Sequence, residues 1–157
     1  MRSVCFTGHR KITITRELKT RLYTELELLV HNGVTDFYAG GALGFDTLAE
    51  QTVIELKGRY PQIRLNLGLP CPAEQQTRKW NVTDKTEYFR ITDVADSVEV
   101  CSEQYTYNCM RNRNQRLVDL ADICVCYYNP SKERSGTGQT VRIAQKKGLP
   151  IINVFDW

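Results

Sequence analysis

Short apolar runs and helical stripes alternate from one end of the chain to the other. Runs rich in β-branched and aromatic residues cover Ser3–Thr7, Thr35–Ala39, Ile63–Leu69, Ser97–Cys101, Ile123–Tyr128 and Ile151–Phe155, and each reads as a strand. Between the first two, Leu18, Leu22, Leu26, Leu29 and Val30 recur at helical spacing, behind a Thr15 cap and ahead of Asn32-Gly33. Phe45, Leu48, Ala49, Thr52, Val53 and Leu56 follow i, i+3, i+4, i+7, i+8, i+11, so a second helix buries one face. A late helix is predicted over Thr140–Lys147, between Ser135-Gly136-Thr137-Gly138 and Gly148-Leu149-Pro150. One or two helices carrying Trp80 and Tyr88 are expected between Pro72 and Asp96. Strands that alternate with helices build βαβ units. The expectation is one three-layer α/β domain over residues 1–157, with a mainly parallel sheet of about six strands.

Composition narrows the class without changing the fold. The 157 residues suit one domain, and 41% hydrophobic with 25% charged residues is ordinary for a folded chain. Lys plus Arg (21) exceed Asp plus Glu (18), and the formal charge of +3 does not by itself announce a nucleic-acid binder. No apolar run is long enough for a bilayer and the opening residues turn polar too soon for a signal peptide, so a cytoplasmic protein with no membrane partner is expected. The six cysteines then read as reduced thiols. With no C-x-x-C pair and only His9 and His31 to assist, neither a metal site nor a cofactor is expected.

In open parallel sheets ligands lie beyond the carboxyl ends of the strands. Thr7-Gly8-His9-Arg10 follows the first strand, Gly40-Gly41-Ala42-Leu43-Gly44 through Asp46 the second, Pro70-Cys71 the third, and Ser135, Gly136, Thr137 through Thr140 the fifth. Glycine turns that open helices offer backbone N–H groups and partial positive charge to an anion, which suits a phosphorylated ligand. Neither turn matches the G-x-G-x-x-G fingerprint or the P-loop. On a helix from Met110 to Ala121, the stripe Met110, Leu117, Ala121 puts Asn114 at its middle and Arg113 at its edge. A polar pair on an apolar stripe needs partners. Arg113 either enters an internal network with loop carbonyls or a neighbouring carboxylate or, the reading taken here, meets a ligand anion beside Asn114, with Arg10 as a phosphate clamp. Arg111 and Arg116 read as solvated, and Asp119 as a structural partner of Arg113 or Arg116. Asp46 either complements its helix dipole or accepts from ribose hydroxyls. Cys71 reads as a plain loop thiol.

Cys5-Phe6-Thr7-Gly8-His9-Arg10, Gly40 through Asp46, Leu69-Pro70-Cys71, a Gln75 or Gln76 ahead of Trp80, Tyr88 and Ala95-Asp96 closely resemble the YpsA-like family. Arg113-Asn114 ahead of Leu117-Val118-Asp119, then Ser135-Gly136-Thr137 and Thr140, complete the pattern, which runs from residue 5 to about 152. The resemblance implies a Rossmann-like domain of the SLOG superfamily, with DprA and the Lonely Guy phosphoribohydrolases as relatives. It implies a nucleotide-derived ligand (a nucleotide, cyclic nucleotide or nucleotide-sugar) between the loop after the second strand and the glycine-threonine turn, bound for sensing or sequestration. It also implies a homodimer. The phosphoribohydrolases carry P-G-G-x-G-T-x-x-E, whereas Thr140 stands at the glutamate position here. Threonine is no general acid or base near neutral pH. N-glycoside hydrolysis of a nucleoside monophosphate, with Asp46 as the catalytic carboxylate, is therefore the alternative. DprA-like single-stranded DNA binding is the second alternative. Because Arg10, Lys11, Lys132, Arg134, Lys146 and Lys147 scatter along the chain, nucleic acid is expected not to be a partner.

Overall fold

Six strands and six helices alternate in the computed structural model, which describes residues 2–131 and 135–155. In chain order they are β1 (Ser3–Gly8), α1 (Arg16–His31), β2 (Asp36–Ala39), α2 (Phe45–Lys57), β3 (Arg64–Leu69), α3 (Ala73–Gln76), α4 (Val82–Val94), β4 (Ser97–Val100), α5 (Cys109–Leu120), β5 (Ile123–Tyr127), α6 (Gly136–Lys147) and β6 (Ile151–Asn153). The strands form one sheet in the order β4-β3-β2-β1-β5-β6, with every neighbouring pair parallel. The chain winds outward from β1 in one direction and then returns to start again at β5. The strand order therefore reverses between β1 and β5, and the connections diverge there to leave a crevice.

Local chemistry sets the element ends. Thr15 Oγ1 accepts from the Leu18 N–H at 3.1 Å and caps α1. Gly44 precedes α2 at φ 76°, where a Cβ would stand 2.2 Å from the Arg10 carbonyl oxygen. Only glycine fits there. The Phe45 N–H donates to the His9 carbonyl at 3.1 Å, so the start of α2 is locked to the loop after β1.

Helices α1, α2 and α4 cover one face of the sheet, and α5 and α6 the other. On the first face Phe6 lies parallel to Phe37 at 6.0 Å and edge-on to Phe45 at 6.3 Å. On the second, Cys5, Cys124 and Cys126 pack with Leu117, Val118, Val141 and Ala144. Strand residues two apart face the same side, and these thiols serve as small apolar groups. All six cysteines are unbridged. Among the described residues no helix is long and apolar enough to cross a membrane.

Three differences from the sequence reading have identifiable causes. Helix α6 begins at Gly136 rather than Thr140, because Ser135 Oγ accepts from the Gly138 N–H at 2.9 Å and caps the glycine-threonine segment as a first turn. On α5 the buried stripe is Cys109, Arg113, Leu117, which puts Arg113 at its centre and half-buried Asn114 at its edge. The last strand stops at Asn153, whose side chain accepts from the Tyr128 and Phe155 N–H groups (3.0 and 3.1 Å) and donates to the Tyr128 carbonyl (2.8 Å). Those bonds take the place of further ladder.

The C-terminus of α5 is closed by Lys147, whose Nζ donates to the carbonyls of Val118 (2.8 Å), Asp119 (2.8 Å) and Ala121 (3.2 Å). Lys147→Met is expected to remove about 1.5 kcal/mol, seen as a melting temperature lower by roughly 3–6 °C. An unchanged melting curve would show that water replaces the ammonium there.

Candidate functional site

The switch-point crevice is a cleft of about 260 Å³ at the carboxyl end of β1. Thr7, Gly8, His9 and Arg10 supply its floor and one side, Ala42 and Asp46 a second, Met110, Arg113 and Asn114 a third, and Ser135, Gly136 and Thr137 the fourth. The fourth wall is the N-terminus of α6. Of its first turn, the Gly138 N–H is taken by Ser135 Oγ and the Gln139 N–H by the Ser135 carbonyl. The two N–H groups ahead of them belong to Gly136 and Thr137, at the cleft wall, where the helix dipole is positive.

Arg113 is 4% exposed. Its Nη1 donates to the Gly40 carbonyl, its Nε to Asn114 Oδ1 at 2.7 Å, and its Nη2 to Met110 Sδ at 3.7 Å. A Cβ on Gly40 would stand 2.3 Å from Nη1, so the guanidinium lies flat against a bare backbone. Burial pulls the Arg113 pKa down, and the Asp46 charge opposes that shift.

The loop between β2 and α2 is held on every side by buried groups. Asp46 Oδ2 accepts from the Ala42 N–H at 3.2 Å, and Glu50 Oε2 from the Gly41 N–H at 3.0 Å. Gln76 Nε2 donates to the Gly41 carbonyl at 3.4 Å. Asp46 Oδ1, Gln76 Oε1 and the Tyr88 hydroxyl are buried without a partner among the described residues. Burial raises the Asp46 pKa, while Arg113, the Ala42 N–H, Arg10 and Gly40 restrain it. Glu50 lies well above the usual carboxylate range, from burial first and then the Asp46 charge. Two carboxylates share one dry cluster with the buried Arg113, whose charge is the first to restrain Asp46, while Glu50, facing Asp46, is pushed further up. Burial raises the Tyr88 hydroxyl, and the Glu50 charge adds to this.

The structure brings Gly8, Arg10, Asp46, Arg113, Asn114, Ser135, Gly136 and Thr137 to one cleft. Gly40, Gly41 and Gly44 stand behind it as backbone against Arg113, Leu69 and Arg10. Pro70 and Cys71 are buried in the loop between β3 and α3, and the Cys71 thiol is raised by burial and then by the neighbouring Cys109 thiol. Thr140 is buried inside α6 and donates to the Gly136 carbonyl at 2.9 Å. Asp119 accepts from Gln115 at 2.9 Å rather than from an arginine, and Arg116 bonds Glu99. Reasoning from the sequence passed over Glu50, although it stands four residues after Asp46 and shares its side of α2. His9 also lines the cleft, and its Nε2 accepts from the Asn129 N–H at 2.9 Å.

A second, larger cavity of about 690 Å³ adjoins the cleft and shares Arg10, Ala42 and Met110 with it. Among the described residues no three or more of His, Cys, Asp and Glu gather in a group that could hold a metal ion.

The family model described as the YspA SLOG family, named YpsA, matches residues 5–153. The chain belongs to the YspA SLOG family. Within reach of it, the SPbeta prophage-derived protein YoqJ of Bacillus subtilis is 30% identical over 146 residues, covering 85% of this chain and 83% of that one. The UPF0398 protein YpsA of the same organism is 25% identical, covering 88% and 76%. The UPF0398 protein BH1768 of Halalkalibacterium halodurans is 29% identical over 82% of this chain, which spans 66% of that relative. Among solved structures, DNA processing protein A from Helicobacter pylori shares the fold at a TM-score of 0.67 and 20% identity, over 96% of this chain and 63% of that one.

That structure was determined for its single-stranded DNA binding mode. It overturns the expectation that nucleic acid is not a partner, since that protein, which shares this fold, has a single-stranded DNA binding mode. The expectation rested on a small charge excess, on cations scattered along the sequence and on the lack of an evident aromatic stacking platform. Folding instead collects Arg10, Arg78 and Lys79 around one cavity, while Lys132 and Arg134 lie outside the described residues.

Proposed function

We propose that this YspA SLOG chain binds a nucleotide-derived ligand by its phosphate in the switch-point cleft, as a sensor or sequestering module. One observation carries the reading: Gly136 and Thr137, at the start of α6, line one cleft together with Arg113 and with Asp46, one of whose oxygens has no partner among the described residues. The helix N-terminus and guanidinium suit a phosphate, and a carboxylate oxygen without a donor suits a ribose hydroxyl. Phosphate lies against α6, ribose toward Asp46, and Arg10 closes over the anion.

The site offers a selective test. Gly136→Pro removes one N–H from the anion site yet suits the first position of a helix, and Ser135 already has the extended backbone (φ −103°, ψ 150°) that a following proline requires. A Cβ at Gly136 meets nothing within 4 Å. Titration calorimetry with AMP, CMP, GMP, UMP and cyclic AMP is expected to give binding in the parent and in Gly136→Ala. In Gly136→Pro, affinity is expected to fall about tenfold, with the melting temperature kept. No binding by any of the five, or equal binding by Gly136→Pro, overturns the reading. Chromatography of the same samples after long incubation tests N-glycoside cleavage, whose sign is a free base that Asp46→Asn abolishes.

Single-stranded DNA is a second reading, favoured by the likeness to the Helicobacter pylori protein. It predicts a gel shift that weakens steeply with salt.

A further inference from the structure

Beside the phosphate cleft stands the cavity of about 690 Å³, more than twice the cleft's volume of about 260 Å³. Among the described residues its lining holds three cations, Arg10, Arg78 and Lys79, and no acid. It also holds two aromatic side chains, Trp80 and Tyr105. Trp80 is braced edge-on against Tyr88 at 5.3 Å. Tyr105 is 61% exposed, yet its backbone N–H donates to Gln75 Oε1 at 2.6 Å, which ties the segment before α5 to α3. Gln76 also lines the cavity at 9% exposed, with its Oε1 unpartnered. A buried amide oxygen without a donor is a place where an incoming N–H gains a hydrogen bond.

Cations with aromatics and a lone amide acceptor answer to one chemistry: a base that stacks, an exocyclic or ring N–H that donates, and a phosphate beside it. The wall between the two spaces is thin. Met110 Sδ accepts from Nη2 of Arg10 and of Arg113, each at 3.7 Å, so Met110 and Arg10, with Ala42, stand between cavity and cleft. An anion bridging the two would face Arg10 from either side.

Resting on the phosphate-cleft reading above, we propose that the cavity is a second subsite, and that the ligand carries two nucleoside units joined through phosphate. The first unit sets its phosphate on α6. The joining phosphate lies over Arg10 and Met110. The second unit stacks its base against Trp80 and Tyr105, with Arg78 and Lys79 toward its phosphate oxygens and Gln76 Oε1 toward a base N–H. Two free sources share this chemistry, a pyrophosphate-linked dinucleotide and a short stretch of single strand.

The probes are AMP, diadenosine diphosphate, 5′-phosphorylated dApdA and a single-stranded 20-mer of thymidylate, titrated by fluorescence anisotropy competition or calorimetry. The parent is expected to bind at least one two-unit probe ten or more times tighter than AMP. Tyr105→Ala, and Arg78→Ala with Lys79→Ala, change exposed side chains. Each is expected to shrink that advantage about fivefold or more. A 20-mer tighter than dApdA assigns the source as nucleic acid, and diadenosine diphosphate tighter than both assigns it as a small dinucleotide. AMP binding equal to that of all two-unit probes overturns the second subsite and leaves the phosphate cleft standing. So do variants that weaken AMP as much as the dinucleotides, since the cavity then takes the base of a single nucleotide. Failure of every two-unit probe overturns the second subsite, while the phosphate cleft stands or falls with the five mononucleotides above.

Discussion

Arg113→Met is expected to lower stability by about 3–5 kcal/mol, and the addition of Asp46→Asn to restore a large part of it. The guanidinium is 4% exposed and Asp46 is 5% exposed, and each is the other's main compensating charge. Methionine keeps the length of the side chain but leaves a carboxylate uncompensated in a dry cluster and strips the Gly40 carbonyl of its donor. Asparagine at position 46 still accepts from the Ala42 N–H and carries no charge. The two losses are therefore coupled, by roughly 1–3 kcal/mol in a double-mutant cycle from urea unfolding at pH 7. Asp46 also predicts a pH signature. Without Arg113 its pKa rises further, so the penalty of Arg113→Met shrinks as pH falls and the carboxyl takes up a proton. Losses that simply add, at every pH, would show that the backbone N–H groups alone hold Asp46.

Much of this arrangement was legible in the sequence because it follows from periodicity. The stripe Phe45, Leu48, Ala49, Thr52, Val53, Leu56 fixed the buried face of α2, and the strand runs fell within one or two residues of the observed strands. Ends governed by a single side chain were harder to read. Ser135 turned a glycine loop into a helical turn, and Asn153 ended a strand that β-branched residues would have carried further. On α5 the helix was read from Met110, one residue after its observed start, which left Cys109 outside the stripe. Taking Cys109 as the small buried residue it is puts Arg113 at the centre.

The larger cavity could not be read in this way. Its walls come from α3 and the segment after it, from the segment ahead of α5, and from the loop after β1, with no period to link them. The bond from the Tyr105 N–H to Gln75 crosses thirty residues and has no sequence signal. Glu50 was hidden for a different reason. An acid beside an apolar stripe reads as solvated until the neighbouring loop turns its backbone N–H inward to meet it.

Glu50→Gln is expected to raise stability at neutral pH and to remove most of one pH-dependent slope. Glu50 is buried, and its pKa in the folded chain lies well above the ordinary value of 4.5. Between those two values the folded protein holds a proton that the unfolded chain has released. Stability therefore falls as pH rises through that interval, by up to about 1.4 kcal/mol per pH unit. Below 4.5 both states are protonated and the group contributes no slope. Glutamine accepts from the Gly41 N–H as the acid does and does not titrate. Its amide N–H groups enter a cluster that already contains two acceptors without donors, Asp46 Oδ1 and Gln76 Oε1. Other groups facing Glu50 are Asp46 and Arg113, with Glu87 and Tyr88 from α4. Of these Asp46 is also raised, and it adds a slope of the same sign that survives in the variant. Urea unfolding of parent and variant from pH 4 to pH 8 should give curves that coincide at the acid end and separate upward in favour of Glu50→Gln. Parallel curves would mean that Glu50 is ionised in the folded protein, with Arg113 then shared between two carboxylates rather than reserved for Asp46 and a ligand phosphate.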